Sequence, residues 1–129
     1  MAFIRYNENP YKNETIDCAI RAISTFLDIP WDDVYIDLTV EGFIAKDMPN
    51  KNFIWDRYLA RKGFTQKLVP NTCPDCITVE QFANNHPNGT YLLGTGSHVI
   101  AIINGDYYDT WDSGQELPLY FYEKGEEHQ

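Results

Sequence analysis

Apolar residues fall at positions 19, 20, 22, 23, 26 and 27, the spacing of a largely buried helix. Thr15, in Thr15-Ile16-Asp17-Cys18, is the expected N-cap, and Asp28-Ile29-Pro30 ends the pattern. Trp31-Asp32-Asp33 opens a second helix that runs to about Ala45, and Asn52 to Lys62 reads as a third. In the third, Phe53, Ile54, Tyr58 and Leu59 share one face, and Gly63 stands where a helix stop is expected. The residues before this first helix, 1–14, are polar and turn-rich, with Asn7, Asn9, Pro10 and Asn13.

The period changes in the second half. Phe64 to Val69 predicts a short strand, and Pro70 to Asp75 a loop. Thr78-Val79-Glu80-Gln81 carries the capping-box pattern of a short helix ending near His86-Pro87. Strand-like runs follow at Thr90 to Leu93, His98 to Ile103, Tyr107 to Asp112 and Leu117 to Tyr122, with Asn104-Gly105 as a hairpin signal. Helices first and strands afterwards predict an α+β fold: N-terminal helices packed on one face of a C-terminal antiparallel sheet. Without repeats or linkers, residues 1–124 read as one domain and 125–129 as a polar tail.

The chain has 129 residues, of which 43% are hydrophobic and 15% aromatic, enough for a core without disulfides or metal. Its net charge of −9 argues against a basic nucleic-acid surface and against an anionic membrane as partner. No run of about 18 apolar residues is present, and the N-terminal segment lacks the pattern of a secretory signal. A cytoplasmic location is therefore expected. In that compartment three cysteines predict no disulfide framework.

Attention then turns to single cysteines. Cys18 falls in the first turn of the first helix, where the helix dipole favours a thiolate, the form that attacks a carbonyl carbon. His98 opens the most apolar strand, after Gly94-Thr95-Gly96-Ser97. A carboxylate that orients the imidazole would come from the next strand, which offers Asp109 and Asp112. Strand parity separates them. With a two-residue Asn104-Gly105 turn, Ile103 faces Asp106, and Asp109 shares a sheet face with His98. A three-residue loop or a bulge would select Asp112 instead.

The segments Asp17-Cys18-Ala19-Ile20-Arg21-Ala22-Ile23 and Ser97 to Ser113 resemble the papain-like cysteine peptidase superfamily. The similarity is to its small bacterial and phage-type members, related to the leader-peptide peptidases of bacteriocin export. It covers both ends of the domain and leaves the middle unmatched. It implies a papain-like fold with Cys18 as nucleophile and His98 as general base. Asp109-Thr110-Trp111 resembles the Asn-Ser-Trp segment of such enzymes, so Asp109 would orient the histidine and Trp111 would shield the pair from water. The family also places a Gln oxyanion donor a few residues before the nucleophile. This sequence has none there, and Asn13 is the nearest amide side chain.

The expected activity is a peptidase or isopeptidase that works through an acyl-enzyme on a peptide or protein substrate, without cofactor or metal. Two other classes compete. Cys73-Pro74-Asp75-Cys76 is a C-x-x-C segment that suits redox or metal chemistry, although a zinc site lacks its second ligand pair. The acidic composition suits a non-catalytic binding or inhibitor protein. Oligomeric state is not legible.

Overall fold

The computed structural model describes residues 2–15, 17–70, 76–96 and 98–124. Cys73 and the tail 125–129 lie outside them. The chain is α+β, with four helices and a six-stranded mixed sheet among the described residues. In chain order the elements are β1 (Ala2–Arg5), α1 (Cys18–Leu27), α2 (Trp31–Ala45), α3 (Asn52–Arg61), β2 (Lys67–Leu68), α4 (Val79–Asn85), β3 (Thr90–Gly94), β4 (Val99–Ile103), β5 (Asp106–Asp109) and β6 (Tyr120–Glu123). The sheet order is β1-β5-β4-β3-β6-β2.

The hairpin forms as the sequence predicts. Asn104 and Gly105 both take positive φ (49° and 84°), as a two-residue primed turn requires. The register is Ile103 opposite Asp106, Ile102 opposite Tyr107 and Ala101 opposite Tyr108. Continued outward, it gives His98 and Asp109 the same parity.

Two expectations about the sheet are corrected. It is not wholly antiparallel, because β1 pairs in parallel with β5, Arg5 lying opposite Asp109. Residues 2–5 were expected to be turn-like because four residues at a sheet edge, two of them exposed, leave too short a pattern to register. Nor do all helices pack on one face. Successive β4 residues alternate between two apolar clusters. Val99 and Ala101 join α1, α2 and α3 through Ile23, Phe26, Leu38 and Leu59. Ile100 and Ile102 join Val79, Phe82 and Ala83 of α4. The capping box at α4 is present, with Thr78 Oγ1 accepting from Gln81 N and Gln81 Oε1 from Thr78 N.

Boundaries differ too. β2 is two exposed residues rather than a strand from Phe64 to Val69. β5 stops at Asp109 and β6 starts at Tyr120. The N-cap of α1 is Asp17, not Thr15, and its side chain does not cap; its carboxylate is engaged elsewhere. Cys76 is disulfide-bonded, which corrects the expectation of no disulfide. No helix among the described residues is long and apolar enough to cross a membrane.

Gly94 ends β3 opposite Tyr120 of β6, and a Cβ there would overlap the Tyr120 ring. Gly94→Ala is therefore expected to destabilise the fold by about 1–3 kcal/mol through overpacking, read as a lowered midpoint in urea unfolding. An unchanged midpoint would show that the ring moves aside freely.

Candidate active site

The N-terminus of α1, the start of β4 and the end of β5 converge. Cys18 is the first residue of α1, and the only free cysteine among the described residues. Its thiol feels the His98 imidazole and the Val99 backbone N–H, both of which act to lower its pKa. His98 Nε2–H donates to Asp109 Oδ2 at 2.6 Å, leaving the other ring nitrogen for the thiol. Trp111 stacks on the imidazole, with ring centroids 4.2 Å apart and planes 28° apart. The indole is 45% exposed, so it stands between the histidine and solvent.

Burial alone pushes the Cys18 thiol up. The hydrogen bond and charge of His98, the Val99 N–H and the Arg21 charge outweigh it, and the thiol sits below its ordinary value. Burial works against the imidazolium as well. The hydrogen bond to Asp109 and the influence of Cys18 overcome it and raise His98 to about 9. Near neutral pH these shifts favour a thiolate–imidazolium pair, the reactive state of a cysteine nucleophile.

Asp109 is buried and fully engaged. Oδ2 also accepts from Ser113 Oγ at 2.7 Å, and Oδ1 accepts from Thr110 N at 2.7 Å. Arg21 Nη1 lies 3.9 Å from Oδ1. Arg21, itself buried, donates through Nε to Asp17 Oδ1 at 2.9 Å. Asp17 Oδ2 in turn accepts from Trp31 Nε1 at 3.0 Å and from buried Asn9 Nδ2 at 3.4 Å. One turn after Cys18, the same helix thus reaches the carboxylate that orients His98. Burial raises Glu8 to about 7, with Arg21 opposing and Asp109 and Asp17 adding to the rise.

The other candidates fall elsewhere. Asp112 accepts from Tyr107 OH at 2.7 Å and from Gly114 N at 3.0 Å, and so closes a turn instead of meeting His98. Asn13 is exposed, and its backbone carbonyl, not its amide, is engaged, accepting from Asn7 Nδ2 at 3.1 Å. A cavity of about 170 Å³ opens beside Cys18, and Asn13 does not line it. Its walls include Ala19, Ile20, Trp55 and Val99, and the amide side chains there belong to Asn50 and Asn52. Cys76 is likewise absent from its lining. No group of three His, Cys, Asp or Glu side chains able to hold a metal occurs among the described residues.

Sequence reasoning missed Ser113, the Asp17–Arg21 link and the cavity asparagines. Only the link had a local signal, an acid four residues ahead of a base on a helix. Comparison with protein-family models, curated proteins and solved structures finds no match.

Removing Arg21 would leave buried Asp17 without its cation and take a second positive charge from beside Asp109. Arg21→Met is expected to cost about 3–5 kcal/mol, read by urea unfolding, and Arg21→Lys to recover part of that. Loss of less than about 1 kcal/mol would mean that the guanidinium contributes little beyond its own desolvation.

Proposed function

We propose that this protein is a cysteine-dependent hydrolase of papain-like type, a peptidase or isopeptidase. The observation that carries the reading is the His98 Nε2–Asp109 Oδ2 hydrogen bond of 2.6 Å beside Cys18 at the start of α1, whose thiol His98 and the Val99 N–H pull down. In the proposed reaction the Cys18 thiolate attacks the scissile carbonyl carbon. The His98 imidazolium, held in orientation by Asp109, gives its proton to the leaving amine. Water, deprotonated by His98, then cleaves the acyl-enzyme. Trp111 keeps solvent off the imidazole. Nothing in this scheme uses a cofactor. The acidic composition favours basic peptide or protein substrates by electrostatic steering.

The test is alkylation by iodoacetamide across a pH series, with each cysteine read by peptide mass spectrometry, beside turnover of a fluorogenic peptide library. Cys18 is expected to react at pH 6.5 far faster than an unperturbed thiol, whose pKa is about 8.5. His98→Ala should slow that labelling. Peptide turnover should rise with pH as the thiolate forms. It should fall above about pH 9 as His98 loses its proton. Cys18→Ser should abolish turnover while leaving the unfolding midpoint in place, and His98→Ala should reduce it by about 10²–10⁴-fold. A Cys18 that labels no faster at pH 6.5 than a free cysteine would sink the reading and return weight to a binding role.

A further inference from the structure

The cavity beside Cys18 holds several donors without a partner. Cys18 begins α1, so its N–H has no intrahelical acceptor. Asp17, the one carboxylate in the lining, already spends Oδ1 on Arg21 and Oδ2 on Trp31 and Asn9. Asn50 and Asn52 line the cavity, and neither side-chain amide forms a hydrogen bond among the described residues. Trp55, 1% exposed, forms another wall, and its indole N–H also lacks an acceptor. At about 170 Å³ the space holds several waters' worth of volume, about 30 Å³ each.

We propose that the Asn52 side-chain amide is the second donor of the oxyanion hole, acting with the Cys18 backbone N–H. This rests on the hydrolase reading above. When Cys18 Sγ bonds to the carbonyl carbon, the C=O π pair moves onto oxygen, and the thiol proton is already on His98. The oxyanion so formed is an acceptor that those unpartnered donors can meet. Asn52 rather than Asn50 takes the role because of its backbone. Asn52 is the first residue of α3, anchored by buried Ile54 and Trp55 within the next turn. Asn50 sits in the preceding turn. Preorganised donors are the ones that stabilise a transition state, since they need no reordering when the charge appears. Asn52 therefore fills the place that the sequence offered to Asn13.

The test separates tetrahedral chemistry from simple alkylation. Acetyl-leucyl-leucinal adds to a cysteine to give an adduct bearing the oxyanion, whereas iodoacetamide alkylates sulfur without one. Asn52→Ala is expected to raise the aldehyde Ki by about 10²–10³-fold, the usual loss on removing one such donor, and to lower peptide kcat by a similar factor with KM little changed. Its iodoacetamide rate at Cys18 should stay within about twofold of wild type, as expected for a change that spares the thiolate. Asn50→Ala should raise the Ki by less than about tenfold, short of the loss that follows removal of an oxyanion donor. An unchanged Ki in Asn52→Ala, or the loss appearing in Asn50→Ala instead, overturns the assignment. So does a wild type that alkylates at Cys18 yet forms no aldehyde adduct. A wild type whose Cys18 resists iodoacetamide overturns the hydrolase reading itself.

Discussion

The Asp109 carboxylate is the point on which the site turns. Four groups converge on its two oxygens: the His98 ring N–H, the Ser113 hydroxyl, the Thr110 backbone N–H and, at longer range, the Arg21 guanidinium. A buried carboxylate costs several kcal/mol in lost hydration unless its lone pairs are satisfied. Here they are, so the group can stay charged where it is needed. Its charge raises the basicity of His98, and the protonated His98 then stabilises a thiolate at Cys18. Remove the carboxylate, and the His98 shift loses the largest of the contributions that raise it.

The fold brings these groups together from distant parts of the chain. Cys18 and Arg21 come from one helix, His98 from the start of β4 and Asp109 from the end of β5. The backbone at Asp109 is clamped by β1, since Tyr6 N donates to the Asp109 carbonyl at 2.9 Å and Arg5 lies opposite it in parallel register. α1 is held against β4 by Ile23 and Phe26 packing with Val99 and Ala101. The sheet is covered on both faces, and tight packing of both clusters gives the geometry of the site little freedom to drift. The same α1 that is fixed by its apolar stripe also carries Arg21 to Asp109. Burial and ion pairing therefore fix the same distance between helix and strand.

What could be read from the sequence was whatever obeys a local rule. The helices follow period, and α4 follows a capping box. The choice of Asp109 over Asp112 follows from parity once Asn104-Gly105 makes a two-residue turn, and the side-chain bond between His98 and Asp109 agrees with it. What could not be read depends on contacts between remote segments. β1 is four residues with no alternation and exists because β5 offers it an edge. The N-cap moved from Thr15 to Asp17 because tertiary partners set where α1 begins. The Asp17 side chain answers to Arg21 and Trp31 instead of capping its own helix. The amides facing Cys18 come from the α2–α3 connection, more than thirty residues away. A search by sequence proximity therefore settled on Asn13, which the fold leaves outside the cavity.

The charge of the whole chain works against the site's chemistry, and the contrast shows which range of electrostatics matters. A net charge of −9 disfavours one more negative charge at Cys18. That opposition is spread over the surface and is screened beyond about 8 Å at physiological ionic strength. The stabilising groups act at contact: an imidazolium, a backbone N–H and a nearby guanidinium, all partly or wholly buried where water screens little. Three buried or half-buried acids, Glu8, Asp17 and Asp109, surround Arg21. Burial pushes Glu8 to about 7. An acidic protein can hold a thiolate because short-range donors outweigh a screened field.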